Sequence, residues 1–261
     1  MTALVLAAAL LLLPLAARAD DEKDKVQPDR SGAATSTSTV GAGAVQIEAG
    51  FNYGHERSGG APTEKRFGLE AAVRIGLTEA FEVGFMGEPL VRLRNEVDDT
   101  GHGDFMLVAK YRFFDPPQGS PWPSLAVLPF VTLPVTEEPF GSGKTDFGAI
   151  LLASFELPWQ FSLDLNAGVA AIGQNRPSGY LAQAIVRGGL SRAIIESVTL
   201  FTDLVYTSRE EREGRDTVIL DAGVIWWPAR RVALDASVVT SLAGNAPDWT
   251  VRAGVSVRFG R

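Results

Sequence analysis

The chain has only two histidines, His55 and His102, and no cysteine, so acid–base and nucleophilic chemistry has few places to start. His102 lies two residues before Asp104 and close to Asp98-Asp99, a spacing that could pair an imidazole with a carboxylate for hydrolysis. A solvated loop accounts for the same residues more simply. A metal centre needs three or four ligands of fitting geometry, so no metal and no cofactor is called for. The run Arg209-Glu210-Glu211-Arg212-Glu213 reads as a solvated outer loop.

The more telling chemistry lies in charges at every second position. In GAVQIEAGFNYGHE, Val45, Ile47, Ala49, Phe51 and Tyr53 fall on one face of an extended strand, and Gln46, Glu48, Gly50 and Asn52 on the other. The same parity along the chain collects Glu48, Glu70, Arg74, Glu82, Glu88, Asp104, Lys110, Arg112, Asp146, Glu156, Asp164, Arg187, Asp203, Asp221, Asp235, Arg252 and Arg258 on one side. Gly50, Gly68, Gly76, Gly84, Gly148, Gly168, Gly189, Gly223 and Gly254 share that side, where they relieve crowding and permit curvature. These glycines form no phosphate-binding loop.

The elements that position these residues are about twelve strands, at 44–55, 66–76, 81–92, 104–114, 124–133, 145–157, 161–173, 180–192, 198–207, 217–227, 232–241 and 249–259. A soluble sandwich also alternates, but it buries its apolar face. A closed transmembrane barrel turns that face to lipid and the polar face to a lumen. Loop lengths favour the barrel. The connections 77–80, 158–160, 193–197 and 228–231 are tight, while 56–65, 93–103, 134–144, 174–179, 208–216 and 242–248 are longer and polar, as when short turns lie on the periplasmic side. The Pro-rich 115–123 departs from the rule. Ten to twelve residues at about 3.3 Å each, tilted near 40°, rise roughly 25–30 Å, the height of a barrel's apolar band. A basic residue facing lipid at mid-depth would cost roughly 2–4 kcal/mol, so the parity is strongly enforced.

Aromatics gather at both ends of these strands, as membrane interfaces require. Tyr111, Trp159, Trp226 and Trp227 fall at the short-turn end with Phe81, Phe113, Trp122 and Phe161. Tyr53, Tyr180, Tyr206 and Trp249 fall at the other with Phe51 and Phe67. The segment 124–133 is apolar on both faces and contains Pro129, which implies either a bulge or an apolar stretch of lumen.

Residues 4–13 are an unbroken apolar run, followed by Pro14 and by Ala17-Arg18-Ala19, a small-x-small site that would be cut before Asp20. The reading is a signal peptide at 1–19, a flexible periplasmic leader at 20–43 and an outer-membrane barrel at 44–261. An uncleaved anchor stays open as an alternative, although the run is shorter than the roughly 20 residues a spanning helix needs. Formal charge is −7, becoming −8 once Arg18 leaves with the signal, which gives no footprint for nucleic acid. Without cysteine there is neither a disulfide nor a lipid-attachment site. That leaves the periplasm or the outer membrane of a Gram-negative-type cell.

Pro28-Asp29-Arg30 with Thr35-Ser36-Thr37-Ser38-Thr39-Val40, then GAVQIEAGFNYG, RFGLEAAVRIGLTEAFEVGF, GHGDFMLVAKYRFF and VTLPV, resemble the outer-membrane transporter family named for the meta-pathway of phenol degradation. LDAGVIWWPARRVALDASVVTSL and the final WTVRAGVSVRF are similar to that family's last strands. The resemblance implies an outer-membrane barrel passing small, aromatic or hydrophobic molecules, and supplies no catalytic motif. It also implies contact with outer-membrane lipid and lipopolysaccharide, and with the barrel-insertion machinery. That machinery would meet a terminal aromatic, Phe259, displaced by Gly260-Arg261.

The expected function is passive passage of a small solute along a narrow, acid-biased lumen, roughly 12 Å in backbone radius before side chains fill it, with the inward charges as filter. The alternatives are a structural or sensing barrel with a plugged, salt-bridged lumen, and an outer-membrane hydrolase around His102.

Overall fold

A computed structural model describes residues 25–30, 32–56, 64–95, 98–117, 119–175, 177–244 and 246–260. Residues 1–19, expected as a signal peptide, residues 20–24 of the expected leader and most of the loop 56–65 lie outside the described residues.

Alternation of apolar and polar residues produces long antiparallel strands: β1 Val45–Glu56, β2 Glu64–Gly76, β3 Phe81–Arg94, β4 Asp98–Gly101, β5 Phe105–Phe114, β6 Ser124–Leu133 and β7 Phe147–Leu157. After a single 3-10 turn at Pro158–Gln160 come β8 Phe161–Gln174, β9 Gly179–Ile195, β10 Val198–Thr207, β11 Thr217–Ala229, β12 Val232–Ala243 and β13 Trp249–Phe259. Each strand pairs with its sequence neighbour, apart from β4. The ring closes through β1 and β13, with Val45 opposite Phe259 and His55 opposite Trp249. The result is a closed barrel of twelve strands. β4 falls within 93–103, expected as a loop: it folds back on the end of β3 and stands outside the ring.

Burial is inverted relative to a soluble protein. Glu48, Arg74 and Lys110 are each only 1% exposed, whereas Leu151 is 59% and Val169 66% exposed. Ile75, Phe85, Leu107, Val186, Leu204 and Val238 continue the outward apolar belt around the wall. A sandwich would bury these side chains against a second sheet; here they face outward on successive strands.

Two prolines shape the wall. At Pro89 the β2–β3 register shifts, so that Glu88 and Pro89 together oppose Glu70. A proline cannot donate to the ladder, and the extra residue is accommodated as a bulge. Glu88 therefore faces inward, and beyond the bulge the parity of β3 reverses, burying Val91 and Leu93 while Arg92 turns out to Asp98. Pro129 instead points outward. It keeps its register with Ala149 of β7 and leaves a gap in the β5 ladder. Ala126, Leu128 and Phe130 then face inward, so the lumen is apolar there.

Candidate functional site

The inward face is organised around the leader. Residues 25–30 and 32–43, expected as part of a flexible segment, are seated inside the barrel at its short-turn end. The backbone N–H of Val26 donates to Arg230 O at 2.8 Å, and Trp227 Nε1 donates to Val26 O at 3.1 Å. The amides of Asp29 and Arg30 donate to Glu48, and Arg74 Nη1 donates to Gln27 O at 2.8 Å. From there the chain circles the wall strand by strand. Ala33 and Ala34 donate to Asp203 of β10 at 2.6 and 3.0 Å. Thr35 exchanges two 2.8 Å bonds with Asn166 of β8. Thr37 donates to Ser154 of β7, Ser38 O accepts from Lys110 of β5, and Val40 donates to Glu82 of β3.

This is how a segment with little to bury becomes ordered. Its small side chains let the backbone approach the wall, and the wall supplies the partners that buried N–H and C=O groups require. Two charged clusters secure the first turn. Arg74 lies 3.1 Å from Asp29, 3.0 Å from Glu48 and 2.8 Å from Glu82, and Lys110 lies 2.5 Å from Asp29. Arg30 lies 2.8 Å from Glu70 and 2.5 Å from Asp235, while its carbonyl accepts from Arg252 at 2.9 Å. Gly50 and Gly254 face each other beneath Arg30, and a methyl group on either would collide with its guanidinium. These inward glycines thus make room for the leader.

Other inward charges serve elsewhere. Arg252 also reaches Asp221 at 3.5 Å, and Ser154 Oγ donates to Asp164 at 2.5 Å. Glu88 pairs with Arg66. Asp104 accepts from the amides of Thr136 and Ser142, holding the 134–144 loop, and Asp146 accepts from Gly173 at 2.8 Å. Arg112 donates to Glu79 O and lies 3.5 Å from Asp115 at the short-turn end. Glu156 is exposed at the same end, Arg258 is buried, and Arg187 Nη1 donates to Ala33 O at 3.2 Å.

Above the leader the lumen opens into a chamber of about 380 Å³. Its floor is leader backbone around Arg30, Ala33 and Thr35, and one wall carries Glu70, Glu88 and Arg252. The opposite wall carries Met106, Val108, Leu128, Phe130, Ile150 and Ile185. Behind this surface Ala126, Leu152, Ala170 and Ile172 complete an apolar cluster contributed by β6–β9.

The aromatic expectation needs one correction. Tyr111, Trp159, Tyr180 and Trp226 are exposed on the outside of the barrel. Tyr53 packs on Trp249, and Tyr206 donates to Asp216 at 2.7 Å. Trp227 does not join them. It follows Trp226 directly, so strand parity turns it inward, where its ring carries Lys25 and its N–H holds Val26. Trp159 is the most exposed aromatic, at 82%, and takes φ 61°, a left-handed conformation costing roughly 1–2 kcal/mol for a residue with a Cβ.

Among the described residues neither histidine is hydrogen-bonded to a carboxylate. His55 stacks on Trp249 at 5.4 Å, 4.0 Å from the exposed Asp248. His102 lies against Phe105 and Gly103 O, while Asp98 is taken up by Arg92 and Arg94.

A closed twelve-stranded barrel with a charged inward face, an apolar belt outside and a chamber inside is the architecture of outer-membrane channels. The sequence matches the family described as "Putative MetA-pathway of phenol degradation" over residues 28–259, and the chain belongs to that family. An outer membrane channel from Pseudomonas putida F1 superimposes with a TM-score of 0.69 at 13% identity, over 90% of this chain and 100% of that one. The NanC porin gives 0.54 at 11% identity over 82% and 98%. A KdgM porin solved in complex with disordered oligogalacturonate gives 0.52 at 10% over 83% and 99%. Comparison with curated proteins finds no match.

Proposed function

We propose that the protein is an outer-membrane transporter for passive passage of a small solute, exported by a cleaved signal peptide at 1–19. The chamber carries this reading: it is a half-open lumen space bounded by charge on one side and hydrocarbon on the other, within the size range of small-molecule sites. The outer belt meets lipid and lipopolysaccharide, and the insertion machinery meets the last strand. The inward charges act first as anchors for the leader, and solute selection falls to those lining the chamber. Membership of a family named for phenol degradation supports small aromatic or hydrophobic cargo.

The seated leader favours a second reading, a barrel whose plugged, salt-bridged lumen serves a structural or sensing role. Planar-bilayer conductance of the purified mature protein separates the two, with heat-modifiable gel mobility as the folding control. Discrete steps support passage; a folded, silent barrel supports the plugged role. A lock sharpens the test. A Cβ added to Gly189 would lie 2.7 Å from that of Ala34, and the chain has no cysteine of its own. A paired Ala34→Cys and Gly189→Cys variant, in which the Asp203 carboxylate 2.5 Å from the added Cβ must also give way, fixes the leader when oxidised. Conductance that requires leader movement disappears on oxidation and returns on reduction.

A further inference from the structure

The passive-transport reading leaves the cargo open, and the inference that follows rests on it. Each acid lining the chamber already has a cation: Glu48 and Glu82 have Arg74, Glu70 has Arg30 and Arg252, Glu88 has Arg66, and Asp29 has Arg74 and Lys110. Arg187 is different. It lines the same chamber, half-buried, and its hydrogen bond is the single one from Nη1 to Ala33 O. Among the described residues no carboxylate lies within 4.0 Å of it. Asp203, whose charge bears on Arg187, is occupied by the amides of Ala33 and Ala34. A guanidinium has five N–H donors in a fixed fork that matches a carboxylate, so most of its bonding capacity faces the chamber.

One side of its surroundings is hydrocarbon. Ile185 sits two residues away on the same strand face, and Ile150, Leu128, Phe130 and Met106 extend the surface across the chamber. An apolar cavity of about 150 Å³ is enough to hold benzene. The 380 Å³ here leaves room for a ring and a headgroup. We propose that the chamber above the leader is a binding site for small amphipathic monoanions, each an apolar ring or short chain bearing one anionic oxygen group, with Arg187 as the headgroup partner and the β6–β9 wall receiving the body.

The test uses full-length mature protein in lipid nanodiscs, with calorimetric titration of benzoate, benzyl alcohol and acetate. Benzoate is expected to bind more tightly than either of the others, since one lacks the charge and the other the ring. In Arg187→Gln the preference for benzoate over benzyl alcohol should fall by about tenfold or more, and Arg187→Lys should retain part of it. Phe130→Ala should weaken benzoate and benzyl alcohol alike. An unchanged preference in a folded Arg187→Gln protein overturns the assignment, as does acetate binding as tightly as benzoate, or no benzoate binding to the folded wild type. Conductance measured on the same preparations separates the two readings. A conducting pore without benzoate affinity removes the site and keeps passage, whereas a silent barrel that binds benzoate removes passage and keeps the site.

Discussion

The two sides of the lumen make an instructive pair. Strands β10–β13 with β1 and β2 present Asp203, Asp221, Asp235, Arg252, Glu48 and Arg74. Strands β6–β9 present Ala126, Leu128, Phe130, Ile150, Leu152, Ala170 and Ile185, with Ser154 and Asn166 at the level of the leader, Arg187 at the chamber and Gln183 bonded to the 208–216 loop. Charge is placed where a backbone has to be held, and hydrocarbon where nothing of the protein itself is held. A lumen built only to conduct ions would have little use for a greasy side, and one built only to be filled would close the chamber.

This contrast can be broken most severely at Arg74. Arg74→Ala would leave Asp29 and Glu82 sharing Lys110 alone and Glu48 with only its hydrogen bonds from Gln46 and the Asp29 and Arg30 amides, and losing one partner of a buried ion cluster typically costs about 3–5 kcal/mol, the scale expected here. The leader should become sensitive to protease and the mean conductance should rise, while the barrel still shows heat-modifiable mobility. Retention of a protected leader would mean that the backbone bonds from Val26 to Val40 suffice without the cluster.

On the opposite side, Leu152→Ala should lower thermal stability by about 2–4 kcal/mol through the cavity it opens. Leader protection should not change. A variant on the apolar side that released the leader would dissolve the division of labour between the two sides.

The smallest expected effect lies away from both, in the loop 208–216. The Tyr206 hydroxyl, with the Arg209 amide, holds the Asp216 carboxyl below the usual carboxylate range. A depressed folded value means that this contribution is full at neutral pH and is lost as pH falls through the folded value. Hydrogen exchange in 208–216 should therefore quicken at acid pH in the wild type, and Asp216→Asn should show the faster exchange already at neutral pH, with no change in the leader.

The sequence carried the ring well because the period of two is a property of each strand alone. Glu48, Arg74, Lys110 and Asp203 could be placed inward without knowing any neighbour. The interior arrangement was less legible. The leader's small and polar residues resemble those of a disordered chain, because what they bury is backbone, and the groups that satisfy it lie on strands far away in sequence. Asn166 and Ser154 carry no charge and so gave no signal, yet they fix Thr35 and Thr37. Trp227 follows parity rather than aromatic composition, because Trp226 already takes the outward face. The apolar side was only half visible, in the doubly apolar segment around Pro129. The parity reversal on β3 follows from Pro89, which alternation by itself does not reveal.

Arg30 has a consequence for the order in which the molecule is completed. Its guanidinium and carbonyl reach Asp235 and Arg252, which lie 205 and 222 residues later in the chain. It therefore precedes every strand of the ring, and its partners lie on β12 and β13. Such distant pairings are the slowest to form. The leader cannot settle fully until β13 has met β1, so its final seating marks that the ring is complete: a clasp fastened from the inside by the segment that precedes the first strand.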